Sequence, residues 1–236
     1  GTGSEVTQFS TIWDKKNKKK LSISHKNLFP KMAIVDPELT YSVPFDPTFS
    51  TGLDALNQSF ESIWNKNKTP FSIFMASKAI GNSIEAIPRL LNNLGDVQAR
   101  YLMAEASLLS GLSISQTFTA ICHSISYPIT INYEVDHGIA CAFTMKSVAK
   151  KVLAENPDCF KEIIFYNKFS SPEKLLEEID YILEILQVRK KAKKLIKTKD
   201  NLLSISNEMI TPSRSKNFIL PVSNKLLMEI LNESYD

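Results

Sequence analysis

Residues 51–66 carry the pattern that decides the fold class, Thr-Gly-Leu-Asp-Ala-Leu-Asn-Gln-Ser-Phe-Glu-Ser-Ile-Trp-Asn-Lys. Apolar side chains recur there every three or four residues, at Leu53, Leu56, Phe60, Ile63 and Trp64. This spacing places them on one face of an amphipathic helix. A serine or threonine at positions 50 and 51 can cap the amino terminus of that helix.

Helical periodicity continues from this segment to the end of the chain. It predicts further helices at residues 71–87, 96–110, 114–125, 137–153 and 172–186. No glycine occurs after Gly138. The pattern therefore favours a mainly α-helical bundle with short polar connections rather than a sheet.

The residues before Pro47 follow a different pattern. Two short strands at residues 9–13 and 21–24 surround a polar turn and predict a β-hairpin. Five lysines between positions 15 and 20 predict an exposed hairpin tip that discourages edge pairing. A third strand is expected at residues 32–35. The change from strands to helices near residues 44–47 separates a first segment, 1–45, from a helical domain, 46–236.

Composition limits the classes of function. The 236 residues contain 28 basic and 25 acidic side chains, and this net charge of +3 does not favour a nucleic-acid or membrane surface. Three cysteines without a CxxC pair argue against a disulfide framework or a thiolate zinc site. No apolar run of about 18 residues and no signal peptide are present. A cytoplasmic protein is expected.

Two histidines and one aspartate are candidate metal ligands. His123 and His137 flank residues 127–130, Tyr-Pro-Ile-Thr, which are expected to end one helix before the next begins. Asp54 lies in the first turn of the earlier helix. Two imidazoles and a carboxylate suit both an open zinc site and the facial triad of ferrous enzymes. The alternatives are a favourable charge near a helix amino terminus for Asp54 and hydrogen-bonded core roles for the histidines.

Several short motifs stand in an order that resembles the iron-containing (group III) alcohol dehydrogenases. They are Asp36-Pro37-Glu38-Leu39-Thr40, residues 51–56, Ala99-Arg100, His123 and His137-Gly138. The opening residues, Gly1-Thr2-Gly3-Ser4-Glu5, are similar to that family's turn beside the nicotinamide. The resemblance implies a dehydroquinate-synthase-like all-helical domain over residues 46–236. Residues 1–45 would be the β-containing end of an α/β nucleotide-binding domain.

The resemblance also implies the roles of individual residues. Asp54, His123 and His137 would bind Fe²⁺ or Zn²⁺, while Gly3 and Ser4 would line the pocket for NAD(H) or NADP(H).

This sequence departs from the family pattern at two positions. Gln58 stands where the iron-binding pattern has a histidine, so the site looks like the three-ligand zinc arrangement of glycerol dehydrogenases, with the fourth position left to water or substrate. Tyr127 stands where many relatives have a histidine implicated in proton transfer. Tyr127, Gln58 and an ordered water are therefore the candidates for returning the proton.

The reaction implied by the resemblance is reversible hydride transfer between a nicotinamide cofactor and a small aldehyde or primary alcohol. Gln58 and residues 61–64 look like phosphonoacetaldehyde reductases, which suggests a phosphonate substrate. No GxGxxG or GGGS occurs, so the chain is expected to lack most of the cofactor domain and to bind nucleotide poorly. A non-catalytic helical module of the same fold and a dehydroquinate-synthase-like lyase are the alternatives, and residues 51–54 speak against the lyase. The sequence is compatible with a homo-oligomer and does not determine the oligomeric state.

Overall fold

The computed structural model describes residues 1–14, 16–17 and 19–236. In these ranges a short β-hairpin precedes a series of helices. The helices that carry the candidate site and its surroundings are α1 (Phe45–Ile63), α2 (Pro70–Asn92), α3 (Val97–Thr117), α4 (Ile121–Tyr133) and α5 (His137–Glu155). The others are α6 (Lys161–Asn167), α7 (Pro172–Ile185), α8 (Val188–Ile196), α9 (Lys199–Ser204), α10 (Pro212–Ser215) and α11 (Asn224–Tyr235). None of the helices in the described ranges is long and apolar enough to cross a bilayer.

The predicted hairpin is confirmed. Strand β1 (Phe9–Asp14) pairs antiparallel with β2 (Lys19–Ser24), so that Phe9 lies opposite Ser24. At the predicted lysine-rich tip Lys16 is exposed, while Lys15 and Lys18 lie outside the described residues.

The third strand expected at residues 32–35 is wrong. This segment is not assigned to a strand, and Met32 and Ile34 are 76% and 82% exposed. A short apolar run forms a strand only where another strand supplies hydrogen-bond partners, and the ladder in the described part of the chain joins β1 to β2.

Helix α1 is the central helix of the bundle. Its predicted apolar stripe is buried, and α1 packs against α2, α3 and α5. It begins at Phe45, six residues before the predicted start. Its polar face is buried as well, including Asp54, Gln58 and Glu61. Buried polar side chains require partners, so this face of α1 is where a site is to be sought.

A buried arginine fixes the start of α1 against α3. The guanidinium of Arg100 donates to the Thr48 hydroxyl at 2.8 Å and to the Val43 carbonyl at 3.0 Å. Its Nε donates to the Leu94 carbonyl at 2.9 Å. The contacts with Val43 and Thr48 hold the start of α1 on α3, and the contact with Leu94 fixes the arginine itself.

Two predicted boundaries around α3 and α4 are wrong. The break expected between residues 110 and 114 is absent, because α3 continues to Thr117, and Gly111 within it packs against the backbone of Gly3. The helix also does not end at residues 127–130. Helix α4 contains Pro128 and runs to Tyr133. Proline removes one helical hydrogen bond, but the turn before Pro128 is buried together with Ile129, and this packing keeps the helix continuous.

Candidate metal centre

Helices α1, α4 and α5 bring four potential metal ligands together. One donor atom from each of Asp54, His123, His137 and Cys141 lies within 4.8 Å of the others. The first two and the cysteine are buried, and His137 is half-buried. The three residues named from the sequence therefore converge, and Cys141 joins them. A carboxylate oxygen and two imidazole nitrogens fit a divalent zinc or ferrous ion.

Gln58 holds the Asp54 carboxylate in place. Its Nε2 donates to Asp54 Oδ2 at 3.2 Å, one helical turn along α1. Its Oε1 accepts a hydrogen bond from the Ser110 hydroxyl of α3 at 3.1 Å. Gln58 thus presents its amide nitrogen to the aspartate, while its oxygen is engaged by the serine.

Glu61 was not identified from the sequence as a site residue, although it lies two turns after Asp54 on α1. Its carboxylate is fully buried and lies at the beginning of α4. It accepts hydrogen bonds from the backbone N–H groups of Ala120 at 2.7 Å, Cys122 at 2.6 Å and His123 at 3.2 Å. The N–H groups of a first helical turn have no partner within the helix, so this carboxylate from another helix satisfies them.

The same carboxylate sets the orientation of the His123 ring. Glu61 Oε2 lies 2.7 Å from His123 Nδ1, and His123 Nε2 lies 3.2 Å from Asp54 Oδ1. A ring whose Nδ1–H is donated to a carboxylate can present Nε2 to a metal. Burial by itself would lower the pKa of His123. The negative charges of Cys141 and Glu61, together with hydrogen bonds to Asp54 and Cys141, outweigh this effect and raise that pKa well above its usual value.

His137 is placed by a close contact between α1 and α5. It is the first residue of α5, and Gly138 follows it. A Cβ atom on Gly138 would lie 1.8 Å from the Ser50 carbonyl oxygen of α1, so only glycine allows this approach. The Ser50 hydroxyl also donates to Asp136 at 3.2 Å. These contacts hold the start of α5 against Ser50, which lies one turn before Asp54 on α1.

The pKa of Cys141 is shifted in the opposite direction from that of Cys122, the other buried cysteine near the site. Burial would raise the pKa of Cys141, but His123 and His137 outweigh this effect and lower it to about 7. The pKa of Cys122 is instead raised well above its usual value, mainly by burial. Cys141 is therefore the thiol whose surroundings favour the thiolate.

Tyr127 lies one turn after His123 and stacks on His137, with ring centroids 5.5 Å apart and planes 9° apart. The guanidinium of Arg214 lies 4.6 Å from the centre of the tyrosine ring. Burial raises the pKa of Tyr127 above its usual value, against smaller opposing effects of His123 and Arg214. The phenol is therefore protonated at neutral pH. Arg214 was not identified from the sequence, because it follows Tyr127 by 87 residues.

A cleft of about 1060 Å³ opens onto the candidate ligands. Asp54, His123 and His137 line it together with Gln58 and Tyr127. Thr2 and Ser4 line the cleft from the amino-terminal turn. Gly3, which was expected beside them, is buried, has a φ of 72° and packs its backbone on α3 at Ser107 and Gly111. Thr2 and Ser4 of the turn therefore face the cleft, and Gly3 between them provides the left-handed backbone conformation that the turn requires.

Comparison with known proteins gives the family. The family model described as Fe-containing alcohol dehydrogenase family, C-terminal, matches residues 48–202, which is more than half of the chain. The model described as iron-containing alcohol dehydrogenase matches residues 1–37. The chain belongs to the iron-containing alcohol dehydrogenase family. The resemblance inferred from the sequence is confirmed, as is the mainly α fold.

Individual members of the iron-containing alcohol dehydrogenase family are similar to the chain. Phosphonoacetaldehyde reductase from Streptomyces viridochromogenes is 36% identical over 145 residues, which cover 61% of this chain and 37% of the relative. NAD-dependent methanol dehydrogenase from Bacillus methanolicus is 33% identical over 163 residues, which cover 69% of this chain and 43% of that relative. The chain thus spans about two fifths of the length of these curated relatives.

A solved structure of the family shares the arrangement of the whole chain. Sulfoacetaldehyde reductase from Bifidobacterium kashiwanohense, crystallised with NAD⁺, superposes with a TM-score of 0.88 at 28% identity. The match covers 100% of this chain and 62% of that structure. The amino-terminal hairpin and the helices are therefore arranged in this chain as they are in that relative.

Proposed function

We propose that the chain provides the metal-binding half of an NAD(P)-linked alcohol dehydrogenase that reduces a small aldehyde or oxidises the corresponding primary alcohol. The observation that carries the proposal is the convergence of Asp54, His123 and His137 within 4.8 Å on the wall of an open cleft. A divalent ion held by these three residues would supply Lewis-acid chemistry that polarises a carbonyl group. The cleft gives a substrate access to that position.

The surrounding residues have distinct roles in this proposal. Glu61 fixes the ring of His123, and Gln58 fixes the carboxylate of Asp54. Gln58 is therefore a positioning residue. Tyr127, which lines the cleft and keeps its proton at neutral pH, is the group that returns a proton from Oη to the substrate oxygen. The Arg214 cation above its ring favours the phenolate that remains after the transfer.

The charges along the cleft favour a substrate with an anionic group. Lys66, Arg214 and Lys216 line it, and Asp54 is the acidic residue among its described lining residues. Within the described part of the chain, the buried Nε of Arg214 has no hydrogen-bond partner. A phosphonate offers oxygens that suit a guanidinium. Two of the relatives are named for phosphonoacetaldehyde and sulfoacetaldehyde, which supports an aldehyde carrying such an oxyanion.

The amino-terminal turn is proposed to face the nicotinamide. Thr2 and Ser4 line the same cleft as Asp54 and His137, so hydride donor and acceptor could meet there. The name of the Bacillus methanolicus relative and the NAD⁺ complex of the Bifidobacterium kashiwanohense relative support a nicotinamide cofactor. NAD(H) and NADP(H) both remain compatible with the residues at this turn.

Ligand binding to cobalt-loaded protein tests this function. Co²⁺ in the site gives visible absorption bands that respond to changes in its coordination. We expect 2-hydroxyethylphosphonate, the alcohol that corresponds to phosphonoacetaldehyde, to shift these bands saturably. The variant Arg214→Met should weaken the response to the phosphonate more than the response to ethanol. Bound cobalt whose spectrum responds to neither compound would overturn the enzymatic proposal and favour the non-catalytic module.

A further inference from the structure

We infer that Cys141 is a fourth metal ligand, whose thiolate completes the site formed by Asp54, His123 and His137. The inference rests on the proposed function, because it deepens the same metal centre. It also revises the expectation, drawn from the missing CxxC pair, that no thiolate of this chain binds zinc. Here a single cysteine lies beside a histidine ligand because the two are four residues apart on one helix, and no second cysteine is needed.

The spacing on α5 places the sulfur beside a proposed ligand. Cys141 follows His137 by four residues, so both side chains lie on the same face of the helix. Its Sγ lies 3.7 Å from His137 Nε2. Ligand atoms about 2.0 to 2.3 Å from a tetrahedral ion lie roughly 3.3 to 3.8 Å from one another. The sulfur–nitrogen distance falls within this range.

The position of Cys141 relative to the cleft determines which coordination position it would take. Asp54, His123 and His137 line the cleft, whereas Cys141 is fully buried and is not among the described lining residues. The sulfur would therefore bind from the protein interior. With four protein ligands in place, substrate would reach the ion from the cleft as a fifth ligand, an expansion that catalytic zinc sites allow.

Gln58 strengthens the case for a sulfur ligand. Its amide oxygen is engaged by Ser110, and its nitrogen, which carries no lone pair for a metal, points to Asp54. Position 58 therefore does not supply a fourth donor. Cys141 is the remaining side chain in the described donor group that can supply one.

The other two cysteines provide matched controls. Cys122 is buried on α4 next to His123, and Cys159 is buried elsewhere, with its sulfur 3.4 Å from Lys68 Nζ. Neither belongs to the described donor group. A serine at either position should therefore leave the metal environment unchanged.

A thiolate ligand changes the metal that the site prefers. Sulfur is a softer donor than the imidazole that the iron-binding pattern has at position 58, and thiolate sites favour zinc. Metal binding displaces the thiol proton into solvent, because the thiolate is the form that binds. We therefore expect zinc to bind in preference to ferrous ion.

The test is the near-ultraviolet spectrum of the cobalt-loaded chain. We expect an intense thiolate-to-cobalt charge-transfer band in the wild type, Cys122→Ser and Cys159→Ser, and its loss in Cys141→Ser. Zinc affinity of Cys141→Ser, measured by competition with a chelator, should fall by at least about tenfold. Zinc should also protect one thiol of the wild type from alkylation, identified as Cys141 by peptide mass analysis.

The outcomes separate this inference from the proposed function. Stoichiometric cobalt without a charge-transfer band in the wild type overturns the thiolate ligand and leaves the other three ligands standing. A band that disappears in Cys122→Ser or Cys159→Ser overturns the assignment to Cys141. Failure to bind cobalt at all overturns the metal centre itself. The wild-type spectrum and the alkylation measurement decide the question even if Cys141→Ser does not fold.

Discussion

The Glu61 carboxylate lies 2.7 Å from Nδ1 of His123 and also accepts hydrogen bonds from three backbone N–H groups at the beginning of α4. One side chain of α1 therefore caps another helix and orients a proposed metal ligand. The other ring nitrogen faces Asp54 on the same helix α1 at 3.2 Å. The contact between α1 and α4 therefore positions both Asp54 and His123.

Glu61→Gln should weaken both the fold and the site, because it keeps the shape of the side chain and removes its charge. We expect zinc affinity to fall about 10- to 100-fold, as for other partners of metal-binding histidines. The metal-free chain should lose about 1 to 3 kcal/mol of stability, because buried N–H groups lose a charged acceptor. Chelator competition and urea unfolding measure the two effects. Glu105→Gln, which alters a single amide contact at 2.7 Å, is the control. Equal losses in both variants would contradict the role of Glu61.

Gln58→His should add a nitrogen donor to the site. Residues four apart on a helix have β-carbons about 5 to 6 Å apart, so an imidazole at position 58 can reach an ion held by Asp54. We expect ferrous affinity to rise at least about tenfold, or about 1.4 kcal/mol, with a smaller gain for zinc. Chelator competition with each metal measures this change. Unchanged affinity for both would show that position 58 points away from the ion.

Gly138→Ala should separate α1 from α5. The new Cβ would overlap the Ser50 carbonyl oxygen, which is backbone and cannot rotate away. We expect a loss of at least about 1 to 3 kcal/mol in unfolding free energy and weaker zinc binding through the displaced His137. Gly52→Ala is a matched control on α1, where the nearest atom is the flexible end of Met103 at 3.2 Å. Comparable stability of the two variants in urea unfolding would refute the close contact.

NADH should bind weakly to the chain. Cradling a pyrophosphate requires a glycine-rich turn before a helix amino terminus, and neither GxGxxG nor GGGS occurs in the 236 residues. Titration calorimetry should therefore show no binding with a dissociation constant near 1 μM, which would correspond to a binding free energy of about −8 kcal/mol. Micromolar binding of NADH or NADPH would mean that other residues of the chain hold the nucleotide.

Local patterns in the sequence predicted most of the fold. The apolar stripe of α1 and the hairpin strands depend on neighbours within one or two turns, so periodicity identified them. The errors arose where distant packing decided the outcome. Pro128 lies inside α4 because the buried turn before it and Ile129 keep the helix together, and Gly111 stays helical where Gly3 packs against it. The burial of the polar face of α1 likewise could not be predicted from the periodicity of apolar residues.

The site was predicted in part for the same reason. Asp54, His123 and His137 could be named because their order and spacing resemble a known family, and the structure brings them together. The i, i+4 spacing of His137 and Cys141 is visible in the sequence, but a thiolate zinc site is usually indicated by a CxxC pair, which this chain lacks. Glu61 and Arg214 act on residues about 60 and 87 positions away, so only the folded chain reveals them.

The metal content of the purified chain tests the central claim most directly. After equilibration with zinc and removal of unbound ions, elemental analysis should find one ion per wild-type chain, and far less in Asp54→Ala, His123→Ala and His137→Ala. His25→Ala, which changes the exposed remaining histidine, should retain the ion. Full retention of zinc by all three site variants, with their folds intact by circular dichroism, would contradict the account.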